Sequence, residues 1–202
     1  MKVLPKHKKT RGRPREFDSD KALERAMRVF WRKGFLGASL TDLTRATRIS
    51  RPSLYATFGD KEQLFRTALE RYFAGPSSYA HESLGAPTAR AVVEQILYGV
   101  INMLTGPSSP ATCMWVHCAL SSGDGHLRAE FAEQRSESHT LLRKRFDKAV
   151  DAGDLPSGSD TNALAHLVLT VNYGLTVQAT TGATRSDLEG VADAVLRDWP
   201  GI

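Results

Sequence analysis

The sequence predicts an all-α protein, and three observations carry that expectation. Apolar residues recur at helical spacing, cap and breaker residues punctuate the segments, and no stretch offers a β-hairpin signal. No repeat period is visible either. The 202 residues are 41% hydrophobic, 24% charged and 8% aromatic, which allows one large domain or two small ones and excludes a disordered or fibrous chain. No apolar run approaches the roughly 18 to 20 residues of a membrane span, and the basic start Met1 to Arg15 lacks the apolar stretch of a secretory signal. The expectation is a cytoplasmic chain with no membrane partner. Cys113 and Cys118, separated by four residues on what reads as one helix, are expected to be free thiols in a reducing compartment.

Taken in order, the proline-containing opening with Lys2, Lys6, Lys8, Lys9, Arg11, Arg13 and Arg15 has too little apolar surface to fold alone and is expected as a basic arm over residues 1–16. Leu23, Met27 and Phe30 then form a helical stripe that ends near Gly34. Ser39 with Asp42 reads as a capping box opening a helix of about two turns, whose Leu40, Leu43 and Ala46 point inward. After Arg48, Ile49 and Ser50 comes a third helix. Ser50 caps it, Pro52 is tolerated in a first turn whose N–H groups lack helical partners, and Gly59 closes it. Asp60 with Gln63 opens a fourth helix along Leu64, Phe65, Ala68, Leu69 and Tyr72, interrupted at Gly75-Pro76. Further helices are expected over 88–104, 111–120, 126–152, 160–181 and 186–199, giving about nine in all.

Charge divides the chain. Residues 1–71 hold 18 Lys and Arg against 8 Asp and Glu, a balance of +10, whereas residues 72–202 hold 9 against 14, a balance of −5. A small basic module points to a polyanion, because neutralised phosphates release condensed counterions and give affinity that falls with salt.

Two short helices joined by a tight turn and buttressed by a preceding helix match a helix-turn-helix, whose second helix enters the major groove. The run Gly34-Phe35 to Ser39-Leu40-Thr41-Asp42-Leu43, followed by residues 49–62 from Ile49-Ser50-Arg51-Pro52 to Gly59-Asp60-Lys61-Glu62, closely resembles the DNA-binding module of the tetracycline-repressor (TetR) family over residues 17–72. Tyr55, Phe58, Lys61 and Leu64-Phe65 stand at that family's most characteristic positions. The resemblance implies an all-helical homodimer: a DNA-binding domain at 17–65, and a ligand-binding and dimerisation domain at 66–202 that changes the spacing of the two DNA-reading heads.

Beside the resemblance, the residues have physical roles. Arg51, at the start of the recognition helix, suits bidentate contact with guanine O6 and N7, and its neighbour Pro52 lies on the same first turn. Ser53 and Thr57 offer hydroxyls to bases or phosphates. Tyr55 and Lys61 position the backbone, Lys61 at a helix N-terminus that already favours phosphate, and Ser39 and Thr41 reach it similarly. The same residues also fit a half-buried Tyr55 and a solvated Arg51. Arg48 stands where the family usually has Gly in the turn, so it strains the turn or adds a phosphate contact, or is a tolerated surface residue. Arg11-Gly12-Arg13-Pro14 resembles the core of an AT-hook, in which Arg11 and Arg13 would enter a narrow A·T minor groove. A basic tail of nonspecific affinity fits the arm equally.

In the second half, spacing places Cys113 beside His117 and Met114 beside Cys118. Three readings stay open: an ordinary core helix, a reactive thiol favoured by His117 at a place where some electrophile-responsive relatives in the family carry a cysteine, and a metal site completed by His126 or His166. The last has no tight spacing pattern, so neither a metal nor another cofactor is expected. Tyr98, Met103, Trp115, His117, Phe131 and Tyr173, with Cys113, are candidate liners of an apolar effector pocket, and equally of a plain helical core. The apolar residues of the last two helices exceed what one chain needs, and by resemblance form the homodimer interface.

The expected function is therefore a sequence-specific DNA-binding regulator, a repressor that holds a pseudo-palindromic operator as a dimer and releases it on binding a small hydrophobic or electrophilic effector. The alternatives are a nonspecific or architectural DNA binder and a thiol-dependent enzyme using Cys113 and His117. No catalytic constellation or phosphate-binding glycine loop supports an enzyme.

Overall fold

The computed structural model describes residues 18–107, 109–121 and 125–200. The arm with Arg11 and Arg13, and the side chain of His126, lie outside the described residues. Among those residues the chain forms ten α-helices and one 3-10 turn, and no strand.

Helix α1 (Ser19–Gly37) starts at Asp18, whose carboxylate accepts the Lys21 N–H, and buries one face of Ala22, Ala26, Met27, Phe30 and Trp31. It breaks at Gly34, where φ is 69° and a side chain would place its Cβ 2.6 Å from Ser121 Oγ. Helix α2 (Leu40–Thr47) is opened by a complete capping box: Ser39 Oγ accepts the Asp42 N–H at 3.1 Å and Asp42 accepts the Ser39 N–H at 3.2 Å. It ends at Arg48 in the left-handed region, φ 61° and ψ 29°. Helix α3 (Arg51–Phe58) is capped by Ser50 with Pro52 in its first turn, and closes at Gly59. A second capping box, Asp60 with Gln63, opens α4 (Lys61–Ala74).

The expected break at Gly75-Pro76 yields one helix more than the sequence indicated, the single turn α5 (Tyr79–Glu82), followed by a 3-10 turn at Ser83–Gly85. Four residues are too few to display a helical period. Tyr79 lies flat on α6 (Ala89–Thr105), where a Cβ on Gly99 would come within 2.3 Å of its ring. Helix α7 (Met114–Ser121) starts later than the apolar run suggested, because Ala111 adopts φ 56° and ends the helical path before Cys113. The remaining elements are α8 (His126–Asp151), α9 (Thr161–Thr180) and α10 (Arg185–Arg197).

Two cores result. One joins α1 to α4 with α7 and the start of α8, through Phe30, Phe65, Tyr72, Met114 and Phe131. The other surrounds α6, whose Val92, Val93, Ile96, Leu97, Val100 and Ile101 pack against α8, α9 and α10. Outside both, Leu167 (44% exposed) and Val177 (49%) face outward on α9 with Gly174, where an added Cβ would meet nothing within 4 Å.

Candidate nucleic-acid interface and interior cavity

Helix α3 buries only Leu54 and presents the rest of its surface outward, which leaves Arg51, Pro52, Ala56 and Thr57 exposed and Ser53 and Tyr55 half-buried. An Arg51 guanidinium N–H donates to Tyr55 Oη at 3.3 Å, with the guanidinium 5.5 Å from the ring centroid. The phenol thus braces the guanidinium at the exposed start of the helix. Ser53 Oγ lies 3.0 Å from Ser50 Oγ, and Thr57 Oγ1 donates to the Ser53 carbonyl at 2.9 Å, leaving lone pairs outward. Ala56, exposed one turn beyond Pro52, was missed by sequence reasoning; its methyl offers only apolar contact, and exposure alone singles it out.

Helix α2 frames this surface. Ser39 Oγ donates to Asp42 at 2.7 Å and so is spent on the cap, whereas Thr41 is exposed. Lys33 Nζ lies 2.7 Å from Asp42, and its hydrogen bond, reinforced by Ser39, holds that carboxyl well below the usual carboxylate range. Arg48 is exposed at the turn between α2 and α3. Lys61 sits at the N-terminus of α4 with its ammonium 4.4 Å from the Phe35 ring centroid, and partial burial lowers its pKa. The expected candidates Ser39, Thr41, Arg48, Arg51, Pro52, Ser53, Tyr55 and Thr57 therefore fall on α2, α3 and their junctions, and Lys61 opens α4.

An interior cavity of about 500 Å³ opens between α4, α5, α6, α7, α8 and α9. Of the seven expected liners it receives Cys113, Trp115 and Tyr173. Trp115 stacks on Tyr173 at 5.3 Å, and Phe131 lies behind it, edge-on at 5.8 Å. Met103 instead lies with its sulfur 3.0 Å from Tyr72 Oη, and Tyr98 turns to α10, where its hydroxyl donates to Asp193. The cavity also recruits Phe73, Tyr79, Glu82, Glu137 and Asn172, which no sequence spacing brought together. Trp115 Nε1 and Asn172 Oδ1 are buried without a hydrogen-bond partner.

The structure corrects the expected Cys113–His117 pair. Cys113 precedes α7 and takes a hydrogen bond from Tyr72 Oη at 3.2 Å, while the His117 ring lies against Gly34. Burial pushes both the Cys113 and the Cys118 thiols up, the latter to about 12, so neither is a thiolate near neutral pH. No group of three metal-ligating side chains gathers among the described residues, and His166 instead stacks on His139 with centroids 4.0 Å apart. No helix among them is long and apolar enough to cross a membrane.

The family described as bacterial regulatory proteins, tetR family, matches residues 22–68. The chain is similar to the HTH-type transcriptional repressor ComR of Escherichia coli (strain K12), 30% identical over 199 residues, which cover 96% of this chain and 95% of that protein. It is similar to the repressor AcnR of Corynebacterium glutamicum, 30% identical over 179 residues, 86% of this chain and 87% of that one. Among solved structures, a cysteine mutant of the TetR family transcriptional regulator CifR, complexed with 26-base-pair double-strand operator DNA, is 42% identical with a TM-score of 0.85. It covers 94% of this chain and 100% of that one.

Proposed function

The chain belongs to the tetR family of bacterial regulatory proteins, and on that premise we propose that it is a sequence-specific transcriptional repressor, a homodimer that grips operator DNA through two copies of residues 17–65. The observation that carries this is α3 itself: a two-turn helix with one buried side chain, fixed by caps at both ends and offering Arg51, Pro52, Ala56 and Thr57 outward. Residues 66–202 hold the cavity and, on α9 and α10, the apolar face that joins two copies. A small effector in the cavity favours the head spacing that does not fit the operator, and lowers operator affinity by its differential affinity for the two states. The function is regulatory, not enzymatic, and exercised in the cytoplasm. Between a hydrophobic and an electrophilic effector, the protonated, buried Cys113 favours noncovalent binding.

The test is selection of duplexes from a random pool by the full chain at near-physiological salt, then titration of the best duplex and a scramble of it. An inverted repeat bound at least about 10³-fold tighter than the scramble is expected. Equal binding of both would leave a nonspecific, architectural binder.

A further inference from the structure

We propose that the effector is a lipophilic organic cation, an aromatic or alkylated ammonium; this rests on the interior cavity being the effector site. At about 500 Å³ the cavity suits a molecule of drug size. Its wall combines Phe73, Tyr79, Trp115 and Tyr173, whose ring faces carry negative electrostatic potential, with the carboxylates of Glu82 and Glu137. No lysine or arginine lines it. Among the described residues Glu82 forms no ion pair, and Glu137 takes one hydrogen bond, a long one of 3.4 Å from Gln134, so no neighbouring cation is paired with either carboxylate. Asn172 Oδ1, a buried acceptor without a partner, belongs to the same wall.

This distribution selects by charge. An anionic headgroup would meet two carboxylates and no guanidinium or ammonium in the wall itself, the nearby Arg135 acting on Tyr173 from outside it, and a neutral hydrocarbon would gain from the rings but nothing from the acids. A cation gains from both: attraction to the ring faces, where burial removes competing water, and a carboxylate at the entrance. Cys113 contributes to the wall as a small apolar group, consistent with reversible occupancy.

Three probes of similar shape test the class by calorimetry on the full chain at about pH 8, above the ordinary range of imidazole titration. They are (2-naphthylmethyl)trimethylammonium, neutral 2-naphthylmethanol and anionic 2-naphthylacetate. The cation is expected to bind at least about tenfold tighter than the alcohol, with the acetate weakest. In the combined variant Glu82→Gln, Glu137→Gln that preference shrinks below about threefold while the affinity for the alcohol stays unchanged, which marks an intact cavity. The cation should also release the protein from its operator. Alcohol or acetate binding as tightly as the cation, or a preference that survives the double variant, overturns the cation and leaves the cavity as effector site. If none of the three binds, or if the cation binds without weakening operator affinity, the effector role of the cavity falls with it.

Discussion

Arg48 is where residue chemistry and backbone disagree. It holds the left-handed turn between α2 and α3 at φ 61°, a region that costs a residue with a Cβ about 1 kcal/mol relative to Gly. Arg48→Gly should therefore leave thermal stability equal or raised by up to about 1 kcal/mol, and weaken binding of operator and scramble alike if the guanidinium touches phosphate. A denaturant titration and a salt series of binding isotherms check both. Arg51 and Lys61 separate in a different way. Arg51→Ala should cost about 1 to 3 kcal/mol on the operator and relax preference at the base pair it reads, whereas Lys61→Ala should weaken all sequences and reduce the salt slope by about one. Equal losses on every sequence for both variants would show that neither reads a base. These residues were legible in the sequence because caps and turns are local: Ser39 with Asp42, Ser50 with Pro52, and Asp60 with Gln63 each form within a few residues. The Cys113–His117 pair does not form, because Cys113 stands at the N-terminal boundary of α7: its carbonyl accepts the His117 N–H at 2.9 Å, but its thiol turns to Tyr72 Oη.

At the scale of elements, the short segment before α7 ties three helices together. The Trp31 indole N–H on α1 donates to the Thr112 carbonyl at 2.5 Å, Tyr72 Oη on α4 donates to Cys113 Sγ, and Thr180 Oγ1 on α9 donates to the Ala111 carbonyl at 3.1 Å. Movement of the cavity wall at Cys113 and Trp115 therefore bears directly on α1 and α4, the frame that positions α3. Trp31→Phe keeps a ring there and deletes the donor. It should destabilise the fold by about 1 to 3 kcal/mol through the unpaired, buried Thr112 carbonyl. Operator affinity should stay close to wild type while effector-driven release is blunted. Denaturation and operator titration with and without effector measure the two effects; full release in the variant would place the coupling elsewhere. Helix α7 also sets a limit at high pH. Burial raises the Cys118 thiol from 9.0 to about 12, so the unfolded chain deprotonates first and stability should fall as pH rises from about 9 to about 12. Cys118→Ser should flatten part of that decline in a denaturation series across alkaline pH. Helices were readable element by element from their apolar period, but the cavity was not: its walls come from six helices, and no spacing within one segment records which of them converge.

For the whole molecule, the charge division and the exposed face of α9 belong to the same design. The first 71 residues carry the positive balance that draws the chain to DNA, yet one recognition helix reads too few base pairs for an operator to stand out from the genome. Pairing two heads on one scaffold supplies the rest, because the second head then binds at an effective concentration fixed by the scaffold. The acidic remainder keeps the pairing region from competing for the same phosphates. Leu167, Val177 and Gly174 give α9 an apolar, close-approach face left open among the described residues, and a Cβ added at Gly174 or at Gly190 on α10 would meet nothing within 4 Å. Leu167→Glu should bury an uncompensated carboxylate only when two copies meet, so the single chain should fold with unchanged helicity while the dimer dissociates. Sedimentation should show monomers, and affinity for an inverted repeat should fall by about 10² to 10⁴ toward that for a half-site, with half-site affinity itself unchanged. A dimeric Leu167→Glu variant would move the interface off this face. A monomer with undiminished operator affinity would instead mean that one head suffices, leaving spacing between heads nothing on which an effector could act.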